Sequence, residues 1–240
     1  MSGLFKNSTS LNLVNNGTIL FPTVTGPYQV SSSPGNFWTG NRFNTGATWV
    51  SMLANGDVQN NAGITWAGTM DIATKSNYRG GGLLDTSSNS TNDPSGGSII
   101  IKAGNEIIQS PQSGIYGTFL NANGNLWGGA IQISALHDFF YDALNANAKG
   151  PNSAISANGS LQGGMINVQA GDIISIQGGT NPTLPALPYS QVISADGTGG
   201  ANGWGGMINL HAGNTNTINN VQVEANGGLR NGTVITTTGL

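Results

Sequence analysis

Residues 163–179 read GGMINVQAGDIISIQGG, and this stretch decides the fold. Met165, Ile166 and Val168 are apolar, with Asn167 and Gln169 between or after them. Ile174 and Ile176 then alternate with Ser175 and Gln177. A period of two sends successive side chains to opposite faces, which describes a half-buried strand and not a helix. Gly171-Asp172 between the runs and Gly178-Gly179 after them supply sharp corners. The stretch reads strand, corner, strand, corner.

The unit recurs. GGSIIIKAGNEIIQS begins at Gly96, GGAIQISALHDFF at Gly128 and GGMINLHAGNTNTI at Gly205. A second phrase precedes three of the double glycines: LNANG ending at Gly124, ISANG at Gly159 and ISADG at Gly197. It returns as VEANG ending at Gly227, and more faintly as LANG ending at Gly56. The double glycines lie 32, 35 and 42 residues apart. Self-similarity at a period of ~20–50 residues marks a repeat architecture.

Each unit holds three strands: the ANG phrase, the run after the double glycine, and the run after the AGN or AGD corner. The expected fold is all-β, a right-handed, three-sided parallel β-helix (a β-solenoid) with loop insertions on one side, because parallel crossovers are overwhelmingly right-handed. Seven to nine coils at ~4.8 Å each give a core of roughly 35–45 Å. Ile99, Ile131, Ile166 and Ile208 are expected to stack at one inward level. Ile101, Ile133, Val168 and Leu210 are expected at the next. Ala122, Ala157, Ala195 and Ala225 suit the narrow place where sheets converge.

Variation in unit length falls in 111–119, 137–153 and 180–189, read as insertions. Within 135–148, Leu136, Phe139, Phe140 and Leu144 are spaced to fit one helical face, so a short helix competes with an irregular loop there. Pro182, Pro185 and Pro188 exclude a central strand from the last insertion. Before the repeats, LNLV at 11–14 and TILF at 18–21 flank Asn15-Asn16-Gly17, which fits a hairpin or a solenoid corner. Residues 31–48 are turn-rich but carry Phe37, Trp38 and Phe43, expected to cap an open end. The chain therefore divides into N-terminal strands with a capping loop, 1–48, and one continuous solenoid, 49–240.

Composition agrees with stacked strands. Glycine is 38 of 240 residues, charged residues are 7% and the net charge is −3. Asn, Ser and Thr carry the polarity instead, which suits coils that would set like charges about 4.8 Å apart. Seven basic residues provide no stripe for nucleic acid. No cysteine is available for disulfides. No apolar run approaches the ~18 residues of a membrane span. The start, MSGLFKNSTSLNLV, lacks a signal-peptide pattern, so the expectation is a removed leader or another export route.

GGSIIIKAGN, GGMINVQAGD and GGMINLHAGN resemble the repeats of filamentous-haemagglutinin-like and related large bacterial surface β-helix proteins, over about residues 80–240. No NPNG-type motif of that family's secretion domain is present. The resemblance implies a secreted or cell-surface protein with a structural or adhesive role.

No cofactor is called for, and no metal: His137 and His211 lie in different units without ligand-spaced partners. Asp138 and Asp142, four apart, are the weak catalytic candidates, since two carboxylates suffice for glycosidic chemistry. Asp172 and Asp196 read as corner residues. The stronger lead is aromatic. Trp127 and Trp204 each directly precede a double glycine, with Leu161-Gln162 in that place between them. Tyr116, Phe139, Phe140, Tyr141 and Tyr189 fall in the insertions. Exposed, these would stack sugars or dock a protein partner; otherwise they seal the insertions onto the flank. The last run, NGTVITTTGL, leaves an edge at Val234, Thr236 and Thr238. Its expected mate is the other end, at Leu11, Leu13, Ile19 and Phe21, so copies are expected to join end to end into fibres. The functional expectation is a non-enzymatic structural or adhesive module of a bacterial surface protein. The alternative is a carbohydrate-binding or carbohydrate-degrading β-helix such as a phage tailspike.

Overall fold

The computed structural model describes residues 3–6, 13–15, 19–20, 49–54, 56–60, 64–65, 68–80, 83–88, 91, 94–109, 119–142, 153–178 and 191–239. The expected cap at Phe37, Trp38 and Phe43 lies outside these residues, as do Leu11, Phe21, Tyr116 and Tyr189.

The described chain is all-β apart from one turn of 3₁₀ helix at Gly200–Asn202. Its strands form three parallel sheets, stacked coil upon coil as a parallel β-solenoid. Sheet A has eight strands, from Gly3–Lys6 through Met165–Ala170 to Thr233–Thr238. Sheet B has seven, from Leu13–Asn15 to Thr215–Asn219, and sheet C seven, from Ile19–Leu20 to Val221–Glu224. In every sheet the order in space is the order in sequence. Leu13–Asn15 and Ile19–Leu20 belong to different sheets, so these two strands do not pair as a hairpin.

The register follows the alternation. Ile99, Ile131, Ile166 and Ile208 pair in succession, and so do Ile101, Ile133, Val168 and Leu210. All eight are buried. Sheet B contributes Tyr78, Ile107, Phe139 and Ile174 at one level; sheet C contributes Leu84, Leu120, Ile155 and Ile193. Ala122, Ala157, Ala195 and Ala225 are buried where sheet C turns towards sheet A.

The helix considered for 135–148 does not form in its described part. Phe139–Asp142 is a sheet B strand that pairs with Ile107–Gln109 and Ile173–Gln177. Phe139 and Tyr141 point inward and are buried, while Leu136 sits exposed in the turn before them. The apolar residues happened to fit both periods, and stacking on buried Ile107 and Ile174 decided for the strand. The second insertion therefore begins after Asp142 and not at residue 137.

Candidate functional site

The corner between sheets C and A carries the most elaborate surface, and its backbone is held by a polar ladder. Asn158 N–H donates to Asn123 Oδ1 at 2.7 Å, and Asp196 N–H to Asn158 Oδ1 at 2.7 Å. Asn226 N–H continues the series to Asp196 Oδ1, and Asn123 N–H begins it on Ser87 Oγ. The amides bond sideways too: Asn123 Nδ2 donates to Ser156 Oγ and Asn158 Nδ2 to Ser194 Oγ. This is why the ANG phrase recurs: each Asx binds the neighbouring coil. Burial holds the Asp196 carboxyl above the usual range; the Asn226 N–H bond opposes this and Glu224 adds to it.

Past the ladder the chain runs through a column of bridges, Ser95 to Trp127 to Gln162 to Trp204 to Arg230. It then passes the double glycine and enters sheet A. Coils approach closely here. A Cβ on Gly164 would lie 2.0 Å from the Gly129 carbonyl oxygen, and one on Gly163 would lie 1.9 Å from that of Ala195. Only glycine fits, so the corner is bare backbone.

Bare backbone between two rows of side chains makes a groove along the stacking direction, of about 1080 Å³. Its floor is the glycine pairs at 96–97, 128–129, 163–164 and 205–206. Trp127 and Gln162 line one side; Ser98, Ala130, Met165 and Met207, the first residues of their strands, line the other. Trp204 occupies the next rung of the Trp127–Gln162 column, directly before the floor residue Gly205. Trp127 is 44% exposed and Trp204 46%. Two rungs separate them, about 9.6 Å at the spacing of parallel strands. No lining residue carries a formal charge.

The floor is lopsided in hydrogen bonding. Gly96, Gly128, Gly163 and Gly205 donate their N–H groups to the carbonyls of Trp127, Gln162, Trp204 and Arg230. Among the described residues, nothing donates to the carbonyls of these four glycines. The groove thus offers backbone acceptors and keeps its donors occupied.

The other residues singled out by sequence lie elsewhere. Phe139 and Tyr141 are core residues, their ring centroids 6.4 Å apart, and supply no exposed platform. Phe140 is half-buried on the outside of sheet B. Asp138 Oδ1 accepts the Ile173 N–H of the next coil at 3.0 Å, another Asx joining coils. Asp138 lies in the turn just before the strand and Asp142 is the last residue of that strand, their Cα atoms roughly 13 Å apart at the rise of a strand. Glycosidases hold their carboxyls about 5–9.5 Å apart, closer than this backbone spacing. His211 Nδ1 meets Thr237 Oγ1 at 2.7 Å, and His137 is exposed in a turn.

Sequence reading found Trp127, Trp204 and the glycines but not the groove. Gln162, Met165 and Met207 were missed. The available signal was their fixed place beside each double glycine. Compared with protein-family models, curated proteins and solved structures, the chain matches none.

Proposed function

We propose that this chain is a structural and adhesive module of a secreted or cell-surface bacterial protein: a right-handed, three-sided β-helix rod that engages its target along the double-glycine groove. The observation that carries this is the groove itself, open, uncharged and lined by the exposed indole of Trp127, with a second exposed indole, Trp204, two rungs along the same column. Exposed indoles beside an open channel are recognition chemistry, since each offers a large flat apolar face. The right hand rests on the strong chiral preference of parallel crossovers. The three insertions support the one-sided arrangement, because each leaves sheet B and returns to sheet C. The repeat style, which resembles filamentous-haemagglutinin-like proteins, supports the surface location. The degrading alternative is weakened by the Asp138–Asp142 separation.

The test uses beads coated with the full chain and scored for attachment to bacterial and host cell surfaces. Trp127→Ala combined with Trp204→Ala is expected to abolish attachment while leaving the melting temperature near its original value, both indoles being surface residues. Attachment that survives the double change would remove the groove from the function.

A second reading, end-to-end association, is favoured by the last strand. Among the described residues Thr233–Thr238 pairs with Met207–Ala212 alone, and Val234 and Ile235 are 42% and 41% exposed. Continuity of sheet A would set this strand against Gly3–Lys6 of the next copy, not against Leu13 or Ile19. Those two belong to the first described strands of sheets B and C. Such a contact does not close, so it builds fibres. Sedimentation of the isolated chain, with and without Val234→Lys, tests it. A monomer at high concentration refutes this reading.

A further inference from the structure

We propose that the ligand of the double-glycine groove is a neutral, extended glycan lying along the stacking direction. This rests on the groove being the adhesive site. Three features select that chemistry.

The first is charge. With no formal charge among the lining residues, an acidic or basic polymer would lose hydration there without gaining a partner. Arg230, the charged member of the bridge column, stands one rung beyond Trp204, and neither it nor any other ionisable side chain lines the groove.

The second is spacing. Each rung advances by about 4.8 Å, close to the length of one pyranose in an extended β-linked chain. Trp127 and Trp204 then meet alternate sugars through the C–H faces of their rings, and the sugar between them meets the Gln162 amide. Ser95 and Ser98 add hydroxyls at one end.

The third is the donor–acceptor imbalance, which separates a glycan from a peptide. An added peptide strand presents N–H and C=O groups alternately and needs both kinds of partner. The floor has only acceptors left, the carbonyls of Gly96, Gly128, Gly163 and Gly205. Sugar hydroxyls rotate to donate and so suit a row of carbonyls without donors.

The experiment probes the full chain on an array of linear neutral oligosaccharides with acidic ones alongside. The strongest neutral binder is then titrated calorimetrically into the native chain, Trp127→Ala, Trp204→Ala and Gln162→Ala. The expected result is binding confined to neutral glycans, about tenfold weaker in each Trp variant and less affected in the Gln162 variant. An array with no neutral binder, binders that are all acidic, or affinities unchanged in both Trp variants would overturn the proposal.

A companion measurement separates this inference from the reading beneath it. Target cells are treated with periodate, which cleaves sugar diols, or with protease. Loss of groove-dependent attachment after periodate supports the glycan. Loss after protease alone overturns the glycan while leaving the groove adhesive. Attachment that never depended on Trp127 and Trp204 defeats the adhesive reading itself.

Discussion

Asn158 joins two coils through a single side chain. Its Oδ1 receives the Asp196 N–H, and its Nδ2 donates to Ser194 Oγ at 2.9 Å. Asn158→Ala removes the acceptor of the half-buried Asp196 N–H and one donor to the buried Ser194 hydroxyl, an expected cost of about 1–3 kcal/mol. Asn158→Asp keeps the acceptor, as Asp196 does naturally one coil later, and should cost less. Urea denaturation of both variants checks the order. Asp196 itself makes stability depend on pH. Burial raises its folded pKa above the ordinary carboxylate value, so the folded state favours the protonated acid. Its contribution is full below the unfolded pKa and is lost as pH rises through the folded one. Asp57 has the opposite sign: hydrogen bonding from Ser76 lowers its pKa, so its contribution is lost as pH falls. The informative quantity is therefore the difference between Asp196→Asn and the native chain. The variant should gain stability relative to the native chain as pH rises from the unfolded carboxylate range through the raised folded pKa. Parallel stability curves would contradict this.

At the scale of the strand, Met165–Ala170 shows how strictly one register is enforced. Ile166→Asp places an unpaired carboxylate between Ile131 and Ile208 and should cost several kcal/mol. Asn167→Asp faces outward and still accepts from Asn209 Nδ2, so it should cost little. Equal tolerance of both would mean the register is one residue out, which turns every side chain over. Gly164→Ala should be as damaging as the core change, since the new Cβ meets fixed backbone. Thermal melts of the three variants rank them. The sheet A register was legible in sequence because apolar and polar residues alternate there without ambiguity, coil after coil. Sheet B was less legible at Leu136, Phe139 and Phe140, whose spacing suits a helical face as well as a strand. Neighbouring coils settle that choice, and they are distant in the sequence. Trp127 and Trp204 could be named from sequence as paired features but not placed on a groove. The groove is made by missing side chains at Gly163, Gly164 and their counterparts, and a string of letters does not display the width of a gap.

Over the whole molecule, each coil touches mainly the coils above and below it, so stability is built from neighbour contacts and unravels from the ends. Hydrogen exchange should be slowest in Ala130–Ala135 and Met165–Ala170 and fastest in Thr233–Thr238, which has a neighbour on one side only. Uniform protection along sheet A would contradict this, unless sedimentation shows the last strand covered by another copy. Stacking also divides the three corners unequally. From sheet A to sheet B the step is eight residues from Ile99 to Ile107 and again from Ile131 to Phe139, Ile166 to Ile174 and Ile208 to Asn216. From sheet B to sheet C it runs from Gln109 to Leu120, Tyr141 to Ile155, Ile176 to Ile193 and Ile218 to Val223, which is 11, 14, 17 and 5 residues. The shortest of these turns on Asn220 at φ 53°, a left-handed conformation that Asn tolerates. In these four coils the corner that carries the groove takes 11, 11, 15 and 11 residues, from Leu120 to Ile131, Ile155 to Ile166, Ile193 to Ile208 and Val223 to Val234, so here length varies mainly between sheets B and C. Residues added or removed between sheets B and C in these coils would therefore alter one flank of the stack and leave the register of the double-glycine corner in place.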